Sequence, residues 1–267
     1  MSATSLPEEG ALQLGPVRLP AGKQIRAGRG SGGPVAWATL QEVPDAGRVW
    51  AALSRAHSQT GLVPFLLSGL DGGTRRPWDE EEFDDPVDIA GLDHIDAADL
   101  LREWWDDQTH EPGVAEEDED EGTREHIEFK IRPFSRRFPG LAPAEQHKIS
   151  PAQLDDVLGS LPAARIGLVP AGRPADVLPL IGWNGAVNGF ATPLPIAAVL
   201  RSWEDRFGAG LLEVGFDVIR LLAGRPPRTV EHAQRVAAEH LVVSDQCAVF
   251  DITASLMETP IWEFWWD

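Results

Sequence analysis

The chain has no tyrosine, a single cysteine and only two methionines among its 267 residues. One thiol, Cys247, excludes an internal disulfide and any zinc site built from several cysteines. No run approaches the ~20 consecutive apolar residues that a membrane-spanning helix needs. Clustered lysine and arginine are missing too: 23 basic residues stand against 42 acidic ones, for a formal net charge of −19. That sign opposes a phosphate backbone and argues against nucleic acid as a partner. Met1 to Gly15 has neither a basic start nor an apolar core, the wrong pattern for a secretory signal, so the expected setting is cytoplasmic. With tyrosine absent, ten tryptophans and ten phenylalanines carry the aromatic packing. Each buried indole N–H then needs an acceptor.

Signatures of chemistry are also scarce. The glycine run Gly28 to Gly33 (GRGSGG) lacks a following Gly-Lys-Ser/Thr, and the next segment, Val35 to Val43, reads as a strand where a phosphate loop needs a helix. It is expected to be a plain loop. No Gly-x-Ser-x-Gly elbow occurs. Among seven histidines no His-x-x-x-His pair exists; His232 and His240 are eight apart on one expected helix, which separates their rings by about 12 Å, too far to share a metal. Asp245 beside Cys247 raises a thiol pKa instead of lowering it. No catalytic residue, metal or cofactor is assigned on these grounds.

What the chain does have is a concentration of one charge. Between Asp79 and Glu121 lie twenty acidic side chains and one basic one, Arg102; outside that stretch 22 acids balance 22 lysines and arginines. Within it, Asp96 is placed to cap a helix whose stripe is Ala97, Leu100, Leu101 and Trp104, with Asp99, Glu103 and Asp106 pointing outward. The six consecutive acids from Glu116 to Glu121 have little apolar company to offset chain entropy, so residues 111–126 read as a disordered loop or linker. Arg136, Arg137 and Lys148 form a basic counterweight able to pair with the acids inside the chain.

The expected fold class is α+β, with mixed sheets and amphipathic helices in two subdomains joined by the acidic linker. Residues 1–34 are read as a flexible segment, 35–110 as an N-terminal α/β subdomain, 127–163 as a connecting strand and helix, and 164–267 as a C-terminal α+β domain. In the N-terminal part, Asp45 is placed to cap a helix over Ala46 to His57, Gly61 to stop it, and Leu62 to Leu70 to form a strand. Pro64 argues that this strand lies near a sheet edge. Ile127, Phe129 and Ile131 alternate with charged residues, the period of a half-buried strand. Ser150 and Pro151 open a short helix. Further on, Pro195 to Phe207 is an amphipathic helix stopped by Gly208, Leu211 to Leu222 are two strands, Thr229 caps a helix reaching His240, and Trp262, Phe264 and Trp266 alternate along a last strand. The helix–glycine–strand order at Val49 to Leu67 is echoed at Val199 to Phe216, which raises a distant duplication.

Several of these segments together are similar to a bacterial family known as domain of unknown function 4253, common among actinobacteria. The segments are Ala164 to Ala171 (ARIGLVPA), Ile181 to Asn188 (IGWNGAVN), Leu200 to Gly208 (LRSWEDRFG), Val214 to Asp217 (VGFD), Ala237 to His240 (AAEH) and Trp262 to Asp267 (WEFWWD). Thr60 to Leu67 (TGLVPFLL) and Arg76 to Trp78 (RPW) resemble the part that often precedes the domain. The likeness lapses after His240, where Leu241 to Cys247 (LVVSDQC) replaces an expected Cys-Pro-Asp-like turn. The resemblance implies a bacterial cytosolic α+β domain and supplies no reaction.

Two functional readings follow. In the first, a non-catalytic interaction module, of which an immunity-type protein is one version, meets a basic protein partner through Asp99, Glu103, Asp106, Glu116, Glu117, Asp118, Glu119, Asp120 and Glu121. In the second, an enzyme or small-ligand binder has its pocket in the C-terminal domain, among Trp183, Asn184, Asn188, Glu204, Arg206, Asp217 and His240. Local roles compete with the second reading. Glu204 and Arg206 suit an exposed helix face, the asparagines suit a turn, and His240 suits a hydrogen-bonded core position.

Overall fold

The computed structural model describes residues 5–110, 118–186, 193–244 and 248–266. Eight strands form one sheet: β1 (Gly10–Leu14), β2 (Val17–Arg26), β3 (Pro34–Thr39), β4 (Leu62–Leu67), β5 (Arg165–Pro170), β6 (Ala209–Val214), β7 (Val218–Ala223) and β8 (Ile261–Trp265). Their spatial order is β1-β2-β3-β5-β4-β6-β7-β8, antiparallel throughout except where β4 and β6 run parallel. The α+β expectation holds, and the sheet is mixed. The strands of the two expected parts interleave, however. β5 lies between β3 and β4, so both parts share one hydrogen-bonded layer.

Helices cover both faces. On one side, α1 (Ala46–Thr60) and α4 (Pro151–Ser160) pack Trp50, Leu53 and Leu158 against Leu62, Leu66, Ile166 and Leu168. On the other lie α2 (Ala97–Thr109), α3 (Glu121–Ile131), the short α5 (Val177–Leu180), α6 (Leu194–Phe207), α7 (Val230–Ser244) and α8 (Val249–Glu258), against Val63, Phe65, Leu67 and Val214. Burial on both faces is why β4 reads as an unbroken apolar run instead of an alternation. The echoed helix–glycine–strand units are α1–β4 and α6–β6. Gly61 and Gly208 both close their helices in the left-handed conformation, φ 69° and 59°, and the two strands pair in parallel. The two helices cover opposite faces of the sheet.

Five expectations are corrected. Residues 1–34 are not a flexible lead: β1 and β2 form the sheet's first hairpin, with Leu19 and Ile25 fully buried. Gly22 makes room there, since a Cβ on it would fall 2.2 Å from the Trp37 ring. Asp45 makes no capping bond; it sits at φ 50° as the chain enters α1, and its carboxylate faces Arg48 at 3.6 Å. β4 is an interior strand. It pairs with β6 only at Leu66 and Leu67, and beside Pro64 the indole Nε1 of Trp50 donates to both facing carbonyls, Pro64 O and Leu211 O, each at 3.1 Å. A tryptophan bridge thus replaces the ladder bond that proline cannot make.

The stretch expected to be a linker continues as ordered helix from Glu121. Asp120 caps α3 by accepting from Thr123 N at 3.0 Å and Thr123 Oγ1 at 2.6 Å. The expected strand beginning at Ile127 is the rest of that helix. Ile127 and Ile131 are one turn apart and buried, while Phe129 faces solvent at 62% exposure. A spacing of four satisfies the helical period as well as the strand period, and the cap decides between them.

Candidate functional site

The acidic stretch divides in two once folded. In its first half, among the described residues, Asp79, Glu80, Glu82 and Asp93 pair with arginines, some close in sequence and some remote. Arg165 Nη1 donates to Asp79 Oδ1 at 2.7 Å, Arg76 holds Glu82 through two bonds of 2.8 and 2.9 Å, Arg29 adds a third at 3.1 Å, and Arg201 reaches Asp93 at 2.7 Å. The Arg76 hydrogen bonds, aided by its charge and that of Arg29, keep the Glu82 carboxyl below its ordinary pKa. Asp85 accepts from Ser31 N at 2.8 Å. These contacts tie the segment after β4 to the rest of the fold, while Asp79, Asp85 and Asp93 stay exposed.

The second half stays on the surface. Asp96 caps α2 as expected, accepting from Ala98 N at 2.7 Å. Leu101 and Trp105 then turn inward, and Asp99, Glu103, Asp106 and Asp107 turn outward. Trp105, absent from the expected stripe, is as fully buried as Leu101, its Nε1 donating to Arg136 O at 2.8 Å. Arg102 pairs with Asp99 on the same face. Asp118, Asp120 and Glu121 are exposed. Glu119 is not, and this corrects its assignment as a partner contact. Its side chain is buried in a two-bond pair with Arg136, one bond measuring 2.6 Å, and Arg136 Nη1 also donates to Thr109 O at 2.7 Å. The expected internal pairing of basic and acidic segments is therefore real at Arg136, where it fastens the end of α2 to the start of α3. Glu116 and Glu117 lie outside the described residues.

The C-terminal candidates do not converge on one cleft. Trp183 is buried, donating to Gly215 O at 2.9 Å and packing edge-on to Trp266. Asn184 donates to Asp84 Oδ2 at 3.1 Å, and Asn188 falls outside the described residues. Glu204 accepts from Arg173 Nε at 2.7 Å and Ala175 N at 2.5 Å, with burial raising its pKa. Arg206 turns inward, not onto an exposed face. It grips the fully buried Glu239 at 2.8 and 2.6 Å, and Trp203 Nε1 (2.7 Å) and Ala142 N (2.6 Å) complete that carboxylate's shell. Asp217 Oδ2 accepts from Trp265 Nε1 at 3.1 Å.

His240 lines a cavity in the C-terminal part of the fold. Its ring sits 4.7–4.8 Å from those of Trp203, Trp262 and Phe264. Burial, and secondarily the Arg206 charge, push its pKa down to about 3, so it is neutral. The bland expectation of a satisfied core histidine fails on one point: among the described residues its Nε2 has no hydrogen-bond partner, and neither does Trp262 Nε1. Both residues line a groove of about 430 Å³ between α7, α8 and β8, walled by Ile252 and Leu256 on one side and Glu263 and Trp265 on the other. Sequence reasoning placed Trp262 in the core but did not reach the groove, because its walls come from segments whose packing no local pattern specifies. Among the described residues, no group of three or more His, Cys, Asp or Glu side chains is placed to hold a metal ion. Nor is any described helix long and apolar enough to cross a membrane.

Residues 165–267 match the model of a family described as a domain of unknown function (DUF4253). The match spans β5 through β8 with α5 to α8, and so contains the groove, while α2 and α3 lie before it. No curated protein and no solved structure matches the chain.

Proposed function

We propose that the protein is a non-catalytic interaction module that recognises a basic protein partner through the acidic face of α2 and α3. The observation carrying this reading is the division of the acidic stretch. Among the described residues, four of the eight acids from Asp79 to Asp93 pair with arginines, whereas Asp99, Glu103, Asp106 and Asp107 on α2 and Glu121, Glu125 and Glu128 on α3 are exposed on ordered helices with one ion pair among them, Asp99 to Arg102. From Asp96 to Ile131 the sequence carries fourteen acids and three basic residues. A field of that kind raises encounter rates with a cationic surface by roughly 10–10³-fold and fades with ionic strength. Neutralisation of a basic toxin by an immunity-type protein in a bacterial cytoplasm is one concrete form of this role, by analogy of surface alone. The second reading, a small-ligand site, is weakened because Glu204, Arg206 and Asn184 are each engaged internally.

The test is capture of partners by the protein and by an Asp99→Asn/Glu103→Gln/Asp106→Asn variant, in low and high salt. A basic protein retained only by the parent, and only in low salt, supports the reading. Retention that ignores both the substitutions and the salt removes it.

A further inference from the structure

β8 is the last strand in the sheet, paired with β7 on one side only. The phase of that pairing is fixed at both ends. Trp266 N donates to Asp217 O at 3.0 Å, and Ala223 N donates to Pro260 O at 2.9 Å. Trp262 and Phe264, in step with these, direct their backbone groups to β7. Antiparallel alternation then turns the N–H and C=O of Ile261, Glu263 and Trp265 to the open side. Ile261 N finds Thr259 Oγ1 at 3.2 Å, but the backbone groups of Glu263 and Trp265 have no partner among the described residues. The same three residues line the 430 Å³ groove, whose far wall is α8.

Proteins usually blunt such an edge. The opposite edge is blunted: β1 carries a register shift between Gly10 and Leu12. β8 keeps one unbroken register over five pairs. The groove's walls also have a chemistry. Among the described residues no lysine or arginine lines it and Asp251 on α8, which is exposed, makes no ion pair, while Glu263 is held by Arg220 at 2.6 Å. Trp265, 40% exposed, is pinned through its indole N–H to Asp217 and offers a ring to a cation or an alkyl stem.

We propose that the free edge of β8 receives an extended, lysine- or arginine-bearing segment of a partner protein as an added strand, with α8 as the groove's other wall. Main-chain bonds to Glu263 and Trp265 supply the pairing, and alternate side chains of the segment enter the groove or face Asp251. The basic character of the segment accords with the function proposed above, but the strand addition stands on the edge geometry alone.

The test uses the full chain and three synthetic nonapeptides: alternating Lys and Val, alternating Glu and Val, and the Lys/Val peptide N-methylated at every amide. Binding is read by tryptophan fluorescence and by hydrogen exchange at the Glu263 and Trp265 amides. The Lys/Val peptide is expected to bind and protect those two amides, the methylated peptide to fail, and the Glu/Val peptide to be roughly tenfold weaker or worse. Glu263→Pro removes an outward N–H and leaves the backbone ladder to β7 intact, at the loss of the Arg220 ion pair, and should weaken binding roughly tenfold relative to Glu263→Gln, which loses the ion pair alone. Asp251→Lys, on an exposed helix face, should do the same through charge alone. Equal binding of the methylated peptide, or unprotected Glu263 and Trp265 amides, overturns the proposal. So does protection by self-association of the chain without peptide, and so does indifference to Asp251→Lys. The α2 variant described above should leave peptide protection intact, so loss of partner capture in that variant and loss of strand pairing report on separate claims.

Discussion

Replacing Arg206 with methionine removes the guanidinium that pairs with the buried Glu239 carboxylate. Four donors converge there: two guanidinium bonds at 2.8 and 2.6 Å, Trp203 Nε1 at 2.7 Å and Ala142 N at 2.6 Å. The substitution strips both charge-assisted bonds and also frees Ala142 O, which Arg206 Nη1 holds at 2.9 Å. The alkyl stem is replaced, so the loss is electrostatic and not a cavity. A buried charge left without its partner costs about 3–5 kcal/mol. Glu239→Gln, which keeps shape and removes the charge, should cost about 2 kcal/mol. The double substitution Arg206→Met/Glu239→Gln should cost less than the two single losses together, with a coupling of about 1–3 kcal/mol. Urea unfolding followed by tryptophan fluorescence measures all three. A loss below about 1 kcal/mol for Arg206→Met, or strict additivity, would refute the claim that this carboxylate is a closed, charge-compensated knot joining α6, α7 and the loop at Ala142.

Two further perturbations test the core. His240 is held neutral with a pKa of about 3, below the unfolded value near 6.5, so the unfolded chain binds a proton that the native chain cannot. Stability should therefore fall as pH drops from about 6.5 toward 3, approaching ~1.4 kcal/mol per unit well inside that window. His240→Phe should remove this component between pH 7 and 5, and parallel pH profiles for variant and parent in urea unfolding would contradict it. Trp50→Phe keeps the ring in the core but leaves Pro64 O and Leu211 O without their shared donor. A loss of about 2 kcal/mol is expected from denaturant midpoints, and a loss under about 0.5 kcal/mol would show that the bridge contributes little.

Much of the fold was legible where one short-range signal spoke without competition. α2 announces itself through the Asp96 cap, α4 through Ser150 and Pro151, where the structure closes a reciprocal cap with Gln153, and α6 through Ile196, Val199, Leu200, Trp203 and Phe207 followed by Gly208. β8 follows the alternation of Trp262, Phe264 and Trp266. Where two signals fit the same residues, the reading failed. Ile127 and Ile131 satisfy either period, and only the Asp120 cap selects the helix. Pro64 signals an edge unless a remote indole supplies the missing bond, and Trp50 does so from another layer. The candidate site shows the same limit. Charge counts located the acidic segment correctly, but the arginines at 165, 29 and 201 that reach Asp79, Glu82 and Asp93 are remote in sequence, and only the folded chain brings them there. The groove beside β8 depends on a strand edge and on unpartnered side-chain nitrogens, neither of which leaves a local pattern.

The most direct measurement of the docking role is the association rate of the captured partner with the parent chain and with the Asp99→Asn/Glu103→Gln/Asp106→Asn variant across a salt series. The surface charge of α2 and α3 predicts a parent rate that falls steeply with added salt, and a variant that starts roughly tenfold slower and responds weakly. Two curves that coincide would contradict it.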